Sequence, residues 1–168
     1  MPVVSGAEFL KAARKGGYAV GGYNTNNLEW TQAILEAAEA KKAPVLIQTS
    51  MGAAKYMGGY KVAKDMITNL VDSMNITVPV AIHLDHGDYE AALECIEVGY
   101  TSIMFDGSHL PFEENLKLAK DVVEKAHAKG ISVECEVGSI GGEEDGIIGT
   151  GELDRKSTRL NSSHSLVS

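Results

Sequence analysis

Hydrophobic and polar positions alternate between two periods along most of the chain. Short, nearly continuous apolar runs, typical of strands buried on both faces, are separated by amphipathic segments of helical period. The predicted strands are YAVGGYN, PVLIQTS, PVAIHLD, YTSIMFDG and ISVECEVG. The predicted helices that flank them begin at Ser5, Asn26, Tyr60, Asp88 and Pro111. This alternation predicts an α/β fold with a parallel sheet.

Two α/β architectures share this pattern, a doubly wound sheet and a (β/α)8 TIM barrel. Polar residues follow or end the predicted strands, at Asn24, Ser50, Asp85, His86, Asp106 and Glu136. Barrel enzymes build their active sites from the carboxyl ends of several strands. The segment GGYNTNN after the first strand also lacks the G-x-G-x-x-G spacing of a dinucleotide-binding sheet. A complete barrel takes about 200–250 residues, so the 168 residues present predict only about the first five βα units.

Composition and charge narrow the class of protein. With 44% hydrophobic and 23% charged residues the chain is expected to be globular. The net charge of −8 disfavours nucleic-acid or membrane partners, because both are polyanionic. Two cysteines make no disulfide framework, and neither a long apolar run nor a signal peptide is evident. We expect a soluble cytoplasmic protein.

The stretch PVAIHLDHGD places two histidines and an aspartate at the end of a buried strand. Strict alternation points His83 and Asp85 to one side and His86 to the other. Asp85 and His86 are either a satisfied polar pair, or a zinc ligand beside a carboxylate that is left for acid–base chemistry. One strand does not easily direct both histidines to the same ion, so His83 is assigned a structural or supporting role.

Carboxylates gather near the end of the last predicted strand. Glu134 and Glu136 share one face of VECEVG, where Glu134 is equally well explained as solvent-exposed. Asp106 ends the preceding strand, and an Asp and a Glu on adjacent strand ends suit a hard cation. The following stretch GSIGGEEDGIIGTGE is either a solvated surface loop or a mobile lid that carries a base.

Several large apolar side chains are assigned to packing. On the second predicted helix we expect Leu28, Ile34 and Leu35 to face the core. The other residues assigned to packing are Trp30, Met51, Met57, Met66, Met74, Met104 and Cys95.

Four segments in the same order resemble the class II, zinc-dependent fructose-1,6-bisphosphate aldolases. They are GGYNTNNLEWTQAILEAAEAKKAPVLIQTS, HLDHGD, SIMFDGSHLPFEENLKLAK and VECEVGSIGGEEDG. The resemblance runs from about residue 3 to Leu153. It implies a TIM-barrel lyase of glycolysis that interconverts fructose 1,6-bisphosphate with dihydroxyacetone phosphate and glyceraldehyde 3-phosphate. A tagatose-bisphosphate aldolase shares these motifs and remains an alternative.

The resemblance also implies a set of metal ligands. His86 corresponds to the first of three zinc-binding histidines. Asp106 and Glu136 correspond to ligands of a second cation, divalent or monovalent.

Further residues are implied to act on the phosphorylated sugar. Asp85 corresponds to the acid–base residue that handles the C4 hydroxyl proton. Glu144 corresponds to the glutamate that takes a proton from dihydroxyacetone phosphate. Asn24 and Ser50 correspond to positions that contact substrate. When full length, members of the family are commonly homodimers.

The chain departs from the family pattern after Leu153. The tail DRKSTRLNSSHSLVS shows no helical or strand periodicity and resembles translated vector sequence. We therefore divide the chain into a partial barrel, 1–153, and an unstructured non-family tail, 154–168. Two further zinc histidines are not found, and five strands would leave two unpaired sheet edges. The chain alone is accordingly expected to be an inactive fragment, or a truncated product without catalytic function.

Overall fold

Helices and strands alternate along the chain as the hydrophobic pattern predicts. The computed structural model describes residues 2–138 and, for the backbone alone, residues 142–144, 147–149 and 164–167. The strands are β1 (Gly21–Asn24), β2 (Val45–Ser50), β3 (Val80–Gly87), β4 (Ser102–Phe105), β5 (Ser132–Glu136), β6 (Gly142–Glu144), β7 (Ile147–Gly149) and β8 (His164–Val167). The helices are α1 (Gly6–Gly16), α2 (Leu28–Lys41), α3 (Met51–Met57), α4 (Tyr60–Ser73), α5 (Tyr89–Val98) and α6 (Phe112–Ala128).

The main sheet follows the order of the chain. Its strand order is β1-β2-β3-β4-β5-β8, and β1 to β5 are all parallel to their neighbours. A doubly wound sheet would reverse its order at a switch point, whereas β1 to β5 progress in one direction, as the wall of a barrel does. All five carboxyl ends therefore meet at one edge, which is where the candidate site lies.

The edge of the sheet beyond β5 differs from the expectation of an unpaired strand. There β8 pairs antiparallel with β5, and Glu136 lies opposite His164. The four residues of β8 form a strand within residues 154–168, the segment that was expected to be unstructured. The boundary proposed at Leu153 lies outside the described residues and stays a prediction.

Side chains and backbone geometry explain where several helices begin and end. Asn27 Oδ1 accepts a hydrogen bond from Trp30 N at 2.8 Å, and Asp88 Oδ1 accepts one from Ala91 N at 2.8 Å. Each contact satisfies a donor that the first helical turn leaves without a partner. Helix α5 ends at Val98 and is followed by the cap residue Gly99, whose φ of 93° is one that glycine adopts readily. Short helix α3, capped by Ser50, was not predicted from the pattern.

The core between sheet and helices confirms part of the packing assignment. Leu35, Cys95 and Met104 are buried. Leu28 and Met51 are exposed, so their assignment to the interior is wrong for the described part of the chain. Trp30, 56% exposed, is also wrongly assigned: it immediately precedes buried Thr31 and therefore points about 100° away from it around the helix.

None of the helices in the described part of the chain is long and apolar enough to cross a membrane.

Candidate metal centre and acid–base site

A β-bulge near the end of β3 overrides the strict alternation that the sequence predicts. Leu84 pairs with Ile103 and Gly87 with Phe105, so two residues of β3 stand opposite one residue of β4. Those two residues are Asp85 and His86, and His86 has a φ of 48°. Past Leu84 the simple two-residue period no longer determines the direction of a side chain. Asp85 and His86 lie in two different polar environments.

His86 joins two carboxylates from the next two strands. Its Nδ1 lies 2.8 Å from Asp106 Oδ2 and 3.8 Å from Glu136 Oε2. One ligand atom from each of the three residues lies within 4.8 Å of the others. Glu136 is buried, and the side chains of His86 and Asp106 are only 15% and 12% exposed. The sequence implied a zinc residue and a separate pair for a second cation, but the fold brings all three into one group.

Asp106 is held as a carboxylate by its hydrogen bonds. Burial alone would raise the pKa of Asp106, but donation from Ser108 and the contact with His86 outweigh it, and the pKa lies below its usual value. Ser108 N donates to Asp106 Oδ1 at 2.9 Å. Since an ionised carboxylate only accepts, His86 Nδ1 carries the proton of this contact, and Nε2 is the nitrogen whose lone pair a metal ion would use.

Asp85 lies outside this group of three. Its Oδ2 accepts a hydrogen bond from Asn24 Nδ2 at 2.7 Å, which joins the ends of β1 and β3 across β2. Ser50, the register partner of Asp85, ends β2 between them, and its hydroxyl caps α3. Three of the predicted site residues therefore meet at the carboxyl edge of neighbouring strands, as the sequence indicated.

His83 has the structural surroundings that were predicted for it. It is 2% exposed, and its Nδ1 lies 2.8 Å from Ser102 Oγ on β4. Glu134, the second carboxylate of β5, is partly exposed.

Glu144 is described only in its backbone. It lies at the end of β6, which pairs with β7 through Glu144 and Ile147. A short strand therefore occupies part of the stretch that was interpreted as a loop. The side chain of Glu144 lies outside the described residues, and its role stays a prediction.

Comparison with known proteins identifies the family to which the chain belongs. The family model of the class-II fructose-bisphosphate aldolases matches residues 4–167. The chain belongs to this family. A fructose-bisphosphate aldolase of Streptococcus pneumoniae is 84% identical over 153 residues, covering 91% of this chain and 52% of the relative. One from Geobacillus stearothermophilus is 56% identical over 154 residues, covering 91% of this chain and 54% of the relative. The chain thus spans about half the length of these curated relatives.

Solved structures give the same result for the fold. The YdjI aldolase of Escherichia coli K12 matches with a TM-score of 0.73 and 31% identity, over 81% of this chain and 51% of that one. A fructose-bisphosphate aldolase of Campylobacter jejuni matches with a TM-score of 0.69 and 28% identity, over 84% and 48%. The expectation of about five βα units of a TIM barrel is confirmed.

Class II aldolases are zinc-dependent in general, and the residues of this chain fit a divalent cation. Imidazole nitrogen and carboxylate oxygen are both accepted by zinc, at about 2.0–2.2 Å. Two ligands of one such ion lie up to about 4.4 Å apart, and the His86, Asp106 and Glu136 ligand atoms lie within 4.8 Å of one another.

Sequence reasoning missed two contributors to this centre. The backbone amide of Ser108 donates a hydrogen bond to the carboxylate of Asp106. The side-chain amide of Asn115 donates one to the backbone carbonyl oxygen of Glu136. The only local signals were a serine two residues after an aspartate, typical of an Asx-turn, and an asparagine early in a helix.

Proposed function

We propose that this chain forms the amino-terminal part of the active site of a cytoplasmic, glycolytic fructose-bisphosphate aldolase. The reaction would be the reversible cleavage of fructose 1,6-bisphosphate to dihydroxyacetone phosphate and glyceraldehyde 3-phosphate. The observation that carries the proposal is the separation of Asp85 from the group of three: Asp85 contacts Asn24, while His86 contacts Asp106. Carbon–carbon cleavage beside a ketone needs both a cation site and a carboxylate that is not consumed as a ligand.

The metal-binding part of the proposal rests on His86, Asp106 and Glu136. His86 would hold Zn²⁺ through Nε2, and Asp106 and Glu136 would hold a second cation, divalent or monovalent. A zinc ion bound there would supply Lewis-acid stabilisation to negative charge that develops on the ketone oxygen. The ionised Asp106 orients the His86 ring through Nδ1, so that Nε2 presents its lone pair in a fixed direction.

Asp85 is proposed to carry the proton of the C4 hydroxyl. It would accept that proton during cleavage and return it to the new alkoxide during condensation. Asn24 Nδ2 donates to one carboxylate oxygen, which fixes the side chain and leaves the other oxygen to face the substrate hydroxyl. Asn24 and Ser50 are then placed to contact the phosphorylated sugar, and Glu144 would exchange the proton of dihydroxyacetone phosphate. The complete enzyme is proposed to be a homodimer.

The test uses a chimera, because the chain spans half of its relatives. Residues 1–153 are fused to the remaining half of the Streptococcus pneumoniae relative, and cleavage of fructose and tagatose 1,6-bisphosphate is measured with and without chelator. We expect chelator-sensitive cleavage of the fructose ester by the chimera and none by the 168-residue chain. A chimera that is folded and zinc-loaded but inactive on both esters would refute the proposal.

Substitution separates the two proposed roles. Asp85→Asn keeps the size of the side chain and is expected to lower kcat by about 100-fold or more at unchanged zinc content. His86→Ala is expected to lose zinc as well as activity. Asp88→Asn, three residues from Asp85 at the cap of α5, is the matched control and should keep kcat. Equal kcat values for Asp85→Asn and the unaltered chimera would remove Asp85 from the chemistry.

A further inference from the structure

A buried amide lies between the two strand ends that carry the carboxylates of the metal centre. Asn115, in the first turn of α6, is 6% exposed, and its Nδ2 donates to the carbonyl oxygen of Glu136 at 2.9 Å. Its backbone N–H donates to Pro111 O at 2.9 Å. The start of the helix therefore fixes the position of Asn115, and the Asn115 side chain fixes the peptide of Glu136.

The other end of the same amide contacts the loop that follows Asp106. A Cβ built on Gly107 would lie 2.4 Å from Asn115 Oδ1 and 2.7 Å from its Cγ. Real side chains do not approach that closely, so only glycine allows the peptide after Asp106 to pack against the amide. Asn115 thus contacts the backbone next to both carboxylates.

We infer that Asn115 is a positioning residue that sets the separation of Asp106 and Glu136 around a bound cation. The inference rests on the proposed metal-dependent function. Glu136 is the last residue of β5, and Asp106 follows the last residue of β4. At these positions the sheet ladder ends, and a contact from α6 orients the backbone from which each carboxylate projects. Loss of such an outer contact in other metal sites typically lowers metal affinity about 10–100-fold.

The test measures cation binding by the 168-residue chain rather than activity. Mn²⁺ is titrated into the chain, and the electron paramagnetic resonance signal of the unbound ion is followed. Zn²⁺ is added afterwards as a competitor. Mn²⁺ suits a site rich in carboxylates, and its spectrum reports weak as well as tight binding. Asn115→Asp keeps the size of the side chain and removes the donor. We expect it to bind Mn²⁺ at least about tenfold more weakly, although the added negative charge would by itself attract a cation.

Two further variants separate positioning from general stability. Val122→Ala, also buried on α6, is the matched control: it should lower the Tm but leave Mn²⁺ affinity within about twofold. Gly107→Ala displaces the Asn115 amide without changing its chemistry, although its Cβ would also lie 2.9 Å from Phe105 Cζ, and should weaken binding as Asn115→Asp does. The ¹⁵N shifts of the His86 ring, which report its contact with Asp106, are expected to move in both of these variants and not in Val122→Ala.

The outcomes are distinct. If the unaltered chain binds Mn²⁺ and Asn115→Asp binds it equally well, the inference is wrong and the metal centre stands. If Asn115→Asp does not fold, Gly107→Ala decides in the same way. If the unaltered chain binds no Mn²⁺ and no Zn²⁺, the metal centre and the inference are both overturned.

Discussion

Tyr100 and Thr49 form a buried hydrogen bond within the core. Their hydroxyl oxygens are 2.8 Å apart, and both residues are at most 1% exposed. Burial raises the pKa of the Tyr100 phenol well above its usual value, more than the contact with Thr49 lowers it. The phenol is therefore neutral at pH 7, and the pair consists of two hydroxyls.

Tyr100→Phe is expected to lower the free energy of unfolding by about 1–2 kcal/mol, because Thr49 then lacks its partner in the core. Urea unfolding measures this change. Tyr56→Phe is the matched control, since Tyr56 is 79% exposed, and its unfolding free energy should not change. Equal stability of the two variants would show that the buried pair contributes no net free energy.

Glu39 gives the chain a pH-dependent contact between α2 and the segment before β3. Its carboxylate accepts from Lys42 Nζ, from Thr77 N at 2.7 Å and from Thr77 Oγ1 at 2.8 Å. These hydrogen bonds, with Lys42 the largest cause, lower the pKa of Glu39 to about 2. A carboxyl with a lowered folded-state pKa stabilises the fold above its unfolded value of about 4.5, and this contribution is lost as the pH falls towards 2.

Glu39→Gln is therefore expected to lower the Tm at pH 7 and to match the unaltered chain near pH 2. Thermal unfolding at pH values between 2 and 7 measures the difference. Glu36→Gln is the control on the same helix, and it should leave the Tm at pH 7 unchanged. A constant Tm difference over the whole range would contradict the ionic origin of the effect.

At the scale of single elements, the hydrophobic period predicted most helices and strands, and capping residues explain their limits. Helix α3 was not predicted, because its seven residues offer too few apolar positions for a helical period to be recognised. The bulge in β3 escaped because it depends on the pairing of Leu84 and Gly87 with β4. An element whose geometry is set by a neighbour is not encoded in its own pattern.

Two glycines, one within α3 and one directly after α5, should change stability in opposite directions when replaced by alanine. Gly52 lies within α3, and a Cβ there would meet only Ser50 Oγ, at 3.9 Å. Gly52→Ala should therefore raise stability by about 0.5–1 kcal/mol. Gly99 has a φ of 93°, so Gly99→Ala should lower stability by about 1 kcal/mol or more. Chemical unfolding of both variants measures the pair, and a shared sign would contradict the backbone argument.

At the scale of the whole molecule, an apolar groove of about 380 Å³ lies between α6 and the end of β5. Its walls include Phe112, Leu116 and Val123, and Phe112 is 58% exposed. Exposed apolar patches of this kind favour association in water.

Replacing Phe112 and Leu116 together by serine should raise the concentration at which the 168-residue chain self-associates. Analytical ultracentrifugation over a concentration series measures this. Tyr56→Ser, at an exposed position on α3, is the control and should have no comparable effect. If the double variant associates as the unaltered chain does, the groove does not drive association.

The sequence by itself determined the order of helices and strands, the parallel sheet and the identity of the polar residues at its carboxyl edge. These follow from local periodicity and from the rule that parallel strands end at one edge. Only the tertiary structure decided which of those residues meet. His86 and Asp106 are 20 residues apart, and their 2.8 Å contact depends on a bulge and on strand register. Asn115 shows the same limit: its amide reaches Glu136 because α6 packs on β5, and packing between elements is set by the fold as a whole.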